Sequence, residues 1–169
     1  MIETERLILI PLTYEQLIKY LKCDNSLEED LKILPSNRKI PQELILAFEE
    51  TILPKVANNN RNYLYTTLWA AIAKEEQKMI GDFCIVGEPN KNGEIEIGYG
   101  VYDEFQNRGY MTEIVSRLIE WAKTQPKVKS IIAATEKNNI ASFKVLEKNK
   151  FQQITQSETI IHWRYKLIK

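Results

Sequence analysis

Hydrophobic residues in this chain follow two rhythms, one of period two and one near 3.6, and the switches between them predict its elements. An Ile- and Leu-rich run over 7–12, with Pro11 near its end, predicts an edge-type strand. Thr13-x-x-Gln16 then has the form of a capping box, predicting a helix over 14–22 with Leu17, Ile18 and Leu21 as its apolar stripe. Leu27, Leu31 and Leu34 predict a short helix before Pro35. Pro41 suits the first position of another helix, which Pro54 should stop. Asn58, Asn59 and Asn60 mark a loop. Three strands follow over 63–73, 79–87 and 94–102, with turns at Glu75-Glu76-Gln77 and Pro89-Asn90-Lys91-Asn92-Gly93. An antiparallel meander is their simplest arrangement.

The strongest helical signal lies over 109–123, where Met111, Ile114, Val115, Leu118, Ile119 and Ala122 share one face. Ile131-Ile132-Ala133-Ala134 is a continuous apolar run, the pattern of a strand covered on both faces. A second helix over 139–149 and a closing hairpin over 151–156 and 159–167 complete the chain. Strand, helix and strand over 94–135 should form a right-handed crossover with the two strands parallel. The sum is an α+β fold, one domain over 1–169, with a mixed sheet of about seven strands flanked by helices.

Composition narrows the classes of function. The 169 residues are 44% hydrophobic and 27% charged, ordinary for a globular chain with a substantial core. Lys plus Arg equals Asp plus Glu at 23 each, so no net basic field draws in nucleic acid. No apolar stretch nears the roughly 18 residues of a membrane span. The acidic opening Met1-Ile2-Glu3-Thr4-Glu5 lacks the layout of a signal peptide. Cys23 and Cys84 are too few for a disulfide framework and lack metal-ligand spacing. A cytoplasmic protein with reduced thiols and no metal is expected, as a monomer or a homodimer.

Candidate chemistry concentrates after the strand over 94–102. Gln106-Asn107-Arg108-Gly109-Tyr110-Met111-Thr112 is a polar loop opening onto a helix N-terminus. Such a terminus has about four unpaired N–H groups and roughly half a positive charge, which suits phosphate. Gly109 lets the chain turn sharply beside a ligand. Neither the P-loop nor the dinucleotide spacing occurs. Taken alone, the loop also fits a plain strand-to-helix connection.

Taken with its neighbours, the loop resembles the acyl-CoA pyrophosphate loop of the GNAT N-acetyltransferases, written Q/R-x-x-G-x-G/A. The resemblance extends through Glu94-Ile95-Glu96-Ile97-Gly98-Tyr99 and recurs in Asn139-Ile140-Ala141-Ser142 and Leu146-Glu147-Lys148-Asn149-Lys150-Phe151. Glu5-Arg6-Leu7-Ile8-Leu9-Ile10-Pro11-Leu12 resembles the first strand of the branch that includes the ribosomal-protein N-terminal acetyltransferases. The resemblance implies a GNAT-type (acyl-CoA N-acyltransferase) fold in which the two parallel strands splay and pantetheine lies between them. It implies acetyl-CoA as cosubstrate, bound by Gln106, Asn107, Arg108, Gly109, Tyr110, Met111 and Thr112. The backbone of Tyr99 and Val101 would hold the pantetheine arm, with Asn139 and Ser142 adding contacts. The segment 23–62 would line the acceptor side, where Glu28, Glu29, Asp30, Glu49 and Glu50 either attract a cationic amine or form a solvated helix face.

Alternation puts Ile95, Ile97, Tyr99 and Val101 on the core face of the central strand and Glu96, Gly98 and Gly100 on the other. Strand glycines often mark close approach of another backbone. Glu96 is thus either a surface carboxylate or the base that takes a proton from an acceptor amine. A backbone N–H of this strand would serve as oxyanion donor. Ser142 is a candidate proton donor to the leaving thiolate, and Asn139 also suits a helix cap. Three departures from the family pattern stand out. Met111 replaces a small residue, implying tighter packing against the phosphates, and Lys150 replaces Gly before Phe151. Leu146 occupies the place of the usual tyrosine acid, leaving Ser142, water or another tyrosine. His162, Cys23 and Cys84 carry no evident chemistry. The expected function is acetyl transfer from acetyl-CoA to a primary amine, a protein or peptide N-terminus first. A small-molecule acceptor (polyamine, amino acid or aminoglycoside) and a non-catalytic acyl-CoA sensor are the alternatives.

Overall fold

The computed structural model describes residues 1–58, 60 and 62–168; Asn59, in the expected 58–60 loop, lies outside them. The chain opens with β1 (Ile2–Glu3), β2 (Leu7–Pro11) and α1 (Tyr14–Lys22). β2 is not the sheet edge that Pro11 suggested. β1 folds back on it, pairing Ile2 with Leu9 and Glu3 with Ile8. The capping box forms: the Thr13 hydroxyl accepts from the Gln16 amide at 3.2 Å, and the Gln16 side chain from the Thr13 amide at 3.1 Å.

α2 (Ser26–Leu31) ends before Leu34, which is exposed. α3 (Gln42–Ala47) then passes through a π-helical turn (Phe48–Ile52) into α4 (Leu53–Val56). Pro54 therefore does not stop the helix. The wider π turn restarts the hydrogen-bond ladder, so the proline falls in the first turn of α4, where a missing N–H leaves no bond unmade. Residues 63–67 also depart from expectation. Instead of strand they hold a 3-10 turn (Tyr63–Tyr65), initiated by the Asn62 side chain accepting from the Leu64 amide.

β3 (Leu68–Ala73), β4 (Lys78–Ile85) and β5 (Glu94–Val101) form the antiparallel meander. α5 (Tyr110–Lys123), β6 (Ser130–Glu136), α6 (Ile140–Lys148), β7 (Gln152–Gln156) and β8 (Ile160–Lys166) follow. Among the described residues the sheet has eight strands in the order β1-β2-β3-β4-β5-β6-β8-β7. The two-residue β1 is the one that periodicity did not reveal. β6 is fully covered on one face, where Ile131, Ala133 and Thr135 are buried, while the other face grades from buried Ser130 to exposed Ala134. The helices on its other side pack on β3 and β4 and do not reach it.

One core lies between the sheet and α5 with α6, and all six apolar residues of the α5 stripe are buried in it. The five larger ones each contribute about 1.5–3 kcal/mol on burial, and Ala122 less. Packing of that size, not intrinsic propensity, fixes where the N-terminus of α5 points. A second core lies on the opposite face, where α1, α2 and the 42–56 helical segment cover β3 and β4.

β5 and β6 pair in parallel only from Glu94↔Ser130 to Ile97↔Ala133. Beyond that point β5 stays with β4 and β6 stays with β8. The edge of β5 from Gly98 to Val101 therefore faces no strand.

Candidate active site

After β5, a 3-10 turn (Asp103–Phe105) carries the chain to Gln106, and α5 begins at Tyr110. Asn107 and Gly109 adopt left-handed conformations, with φ of 61° and 78°. Gly109 is the N-cap, and no side chain caps the helix. The first intrahelical bond runs from the Glu113 amide to Gly109 O at 3.2 Å. The amides of Tyr110, Met111 and Thr112 therefore have no partner within the helix and can meet an anion.

Arg6, just before β2, braces this loop. Its guanidinium donates to Arg108 O at 3.0 Å and to the Glu113 carboxylate at 2.7 Å, and lies 4.6 Å over the Tyr110 ring. Burial works against charge on Glu113, but hydrogen bonds from Thr4 and Arg6 outweigh it and hold its carboxyl below the ordinary value. The loop's larger side chains are already engaged with the protein. Arg108 lies over Phe105 and reaches Glu76 at 3.3 Å, Tyr110 donates to Glu76 at 2.8 Å, and Gln106 donates to Asp103 at 2.9 Å. Met111 is buried in the core. The loop thus presents mainly backbone.

A cleft of about 540 Å³ runs from this loop to the splayed strands. Its lining includes Tyr99, Val101, Gln106, Asn107, Gly109, Tyr110, Met111, Thr112, Asn139 and Ser142. Arg108 and Glu96, also singled out from sequence, are not among the lining residues. Lys144 and Lys148 are, and the sequence reading missed them. Their signal was available: two cations at i, i+4 on the helix that follows the Asn139–Ser142 motif.

At the mouth of the splay, the Tyr99 hydroxyl lies 2.9 Å from Ser142 Oγ. Burial raises the Tyr99 hydroxyl pKa, with Ser142 opposing in part. Asn139 realises its capping role, accepting from the Ser142 amide at 3.0 Å. Leu146 is fully buried in the core and offers no proton.

The other face of β5 is open. Glu96 and Gly100 are exposed. A Cβ built on Gly100 would meet nothing within 4 Å, and one on Gly98 only the Cys84 sulfur at 3.4 Å. Across on β4, Cys84 stands opposite Gly98 and Asp82 opposite Gly100. Asp82 was not singled out from sequence. The Tyr20 and Tyr102 hydroxyls both donate to its Oδ2, at 3.1 and 3.3 Å. Burial pushes its carboxyl up to about 6, against the two tyrosine hydrogen bonds and the charge of Arg38. Of the five acids singled out in the 23–62 segment, only Glu28 is buried, paired with Arg38 at 2.6 Å. Asp30 pairs with Lys19, and Glu29, Glu49 and Glu50 lie exposed.

Cys23 closes α1 in a left-handed conformation, and His162 is exposed on β8. Among the described residues, no group of three or more His, Cys, Asp or Glu could hold a metal ion, and no helix is long and apolar enough to cross a membrane.

A splayed parallel pair leading to an uncapped helix N-terminus is the arrangement that the resemblance to the GNAT N-acetyltransferases implied for acyl-CoA. The sequence matches the acetyltransferase (GNAT) domain over residues 6–152, and the chain belongs to that family. It is 34% identical over 97 residues to the uncharacterized N-acetyltransferase YjdG of Bacillus subtilis (strain 168), covering 57% of this chain and 58% of that one. It is 31% identical over 85 residues to the uncharacterized N-acetyltransferase p20 of Bacillus licheniformis, covering 50% and 48%. The matched regions thus span about half the length of these relatives. Solved structures share the fold across nearly the whole chain. A GNAT-family acetyltransferase from Bacillus anthracis superposes with a TM-score of 0.68 at 16% identity, covering 98% of this chain and 97% of that one. RimL, a ribosomal alpha-N-protein acetyltransferase in complex with coenzyme A, gives 0.68 at 15%, covering 97% and 96%. Spermidine N-acetyltransferase from Vibrio cholerae, in complex with CoA and spermine, gives 0.66 at 11%, covering 96% of each.

Proposed function

We propose that this chain transfers the acetyl group of acetyl-CoA to a primary amine, with the N-terminus of a protein or peptide as the first candidate acceptor. One observation carries the reading: the unpaired edge of β5 leads directly to the uncapped amides after Gly109. A diamide arm ending in a pyrophosphate needs peptide partners along its length and N–H donors at its end, in that order. The cleft volume also lies within the ordinary range for small-molecule sites.

Bound acetyl-CoA supplies an activated thioester, so no serine or cysteine nucleophile is needed. In this reading the amides of Tyr110, Met111 and Thr112 hold the pyrophosphate, with Lys144 and Lys148 adding positive charge. The backbone of Tyr99 and Val101 orients the arm, and an N–H of β5 polarises the carbonyl oxygen. Glu96 takes the proton from the acceptor. Ser142, with Tyr99 behind it, returns a proton to the leaving thiolate. An α-amine with a pKa near 8 asks less of such a base than a lysine near 10.4.

The likeness of the first strand to the ribosomal-protein branch, and the RimL structure, favour the N-terminus. The spermidine acetyltransferase structure supports a polyamine as the second reading. The cytoplasm is the compartment where either acceptor would be met. Purified protein incubated with acetyl-CoA and a panel of amines tests the proposal through free-thiol release. Acetyl-CoA binding with no amine-stimulated release would instead support the sensor.

A further inference from the structure

We propose that Asp82, held by Tyr20 and Tyr102, is a seat for a second cationic nitrogen on the acceptor. The chain would then favour acceptors with two amino groups over monoamines of the same length. The inference rests on the acetyl-transfer reading above.

Asp82 stands on β4 between two of the smallest residues, Ala70 on β3 and Gly100 on β5. The space above Gly100 is empty, so a ligand on this face passes beside the carboxylate. Both tyrosine hydroxyls donate to Oδ2, and among the described residues no group donates to Oδ1. Arg38, the nearby protein cation, is engaged by Glu28 at 2.6 Å and by the backbone oxygen of Tyr20 at 3.2 and 3.3 Å. A half-buried carboxylate with one open oxygen and no ion-pair partner suits a cation brought by a ligand.

That cation is not the nitrogen being acetylated. Glu96 shares this face, but it lies four positions along β5 from Gly100, a rise of roughly 13 Å. One nitrogen cannot meet both carboxylates. An acceptor with one nitrogen at the Glu96 end and another at Asp82 spans the open strip over Gly98 and Gly100. Such an acceptor is either a small diamine or a peptide N-terminus followed by a basic side chain.

Two matched pairs separate these sources: 1,6-diaminohexane against hexylamine, and Ala-Lys-amide against Ala-Leu-amide. The readouts are kcat and KM from thiol release, plus calorimetric binding of each amine to the protein without acetyl-CoA. The wild type should prefer the dication of at least one pair by roughly tenfold or more, mainly through KM. Asp82→Asn should bring that ratio close to one while acetyl-CoA still binds, which also reports folding.

The same ratio in the wild type should fall as the pH drops below about 6, where the Asp82 carboxyl takes up a proton. The other groups facing it are Tyr20 from α1, Tyr102 after β5, Arg38 and Cys84, with Glu96 further along the face; the ratio cancels effects common to both acceptors. The pH arm needs no variant and holds if Asp82→Asn fails to fold. A wild type without dication preference, or a preference unchanged in Asp82→Asn or below pH 6, overturns the seat. If no amine is acetylated, the transfer reading fails, and diamine binding that Asp82→Asn does not weaken then overturns the seat as well.

Discussion

Replacing Gly109 with valine perturbs the phosphate loop at its turning point while leaving the rest of the protein in place. Gly109 has φ of 78°, and an added Cβ would meet nothing closer than the Arg6 guanidinium at 3.7 Å. The cost is therefore conformational and not steric contact. A left-handed backbone costs a residue with a Cβ about 1–2 kcal/mol, and a β-branched one resists it most. In a chain of this length that lowers Tm by roughly 2–8 °C. The buried face of α5 keeps the helix docked. Valine relieves its strain by leaving the left-handed region, which re-aims the amides of Tyr110 and Met111. Losing two hydrogen bonds to a charged group, at about 1.5–3 kcal/mol each, weakens binding by roughly a hundredfold to ten-thousandfold. Calorimetric titration with acetyl-CoA, beside a thermal melt, measures both effects. A folded Gly109→Val variant binding acetyl-CoA within about threefold of wild type would refute the phosphate placement.

Other expectations follow from single residues. Glu96→Gln should retain acetyl-CoA affinity and lower turnover by about a hundredfold, with the loss shrinking as rising pH deprotonates the acceptor. Turnover within about twofold of wild type across pH 6 to 9 would make Glu96 plain strand surface. Lys150 follows α6 at φ of 62°, so Lys150→Gly should raise stability by about 1 kcal/mol; a lower melting temperature contradicts this. Asp82 has its carboxyl raised from 3.8 to about 6 on folding, so the folded state binds the proton more tightly than the unfolded one. Stability should therefore fall as pH rises between those values, by up to about 3 kcal/mol, and Asp82→Asn should remove that fall. Denaturant melts at pH 4 and 7 check it, and an identical pH dependence in the two proteins counts against the buried charge.

Parts of this architecture were legible because their signals are local. Six apolar residues at helical spacing define α5, and a helix crossing between β5 and β6 lets them lie parallel. The loop from Gln106 to Thr112 is contiguous, so its character shows without tertiary information. Pro54 misled because one π-helical turn shifts where its missing N–H falls. The run at Ile131 to Ala134 overstated burial because hydropathy does not show how far a neighbouring helix layer extends. Asp82 stayed hidden for a different reason. It is a single acid in an apolar strand, and its tyrosine partners lie 62 and 20 positions away in sequence. Its meaning comes entirely from which strands and helices pack together.

Amine-stimulated release of free thiol from acetyl-CoA tests the central claim most directly. The panel should include peptides with free N-termini, polyamines and aminoglycosides, each run with purified protein and with acetyl-CoA alone as background. The account predicts that at least one primary amine raises release well above that background and is recovered acetylated. Saturable binding of acetyl-CoA with release at the background rate for every amine would contradict it.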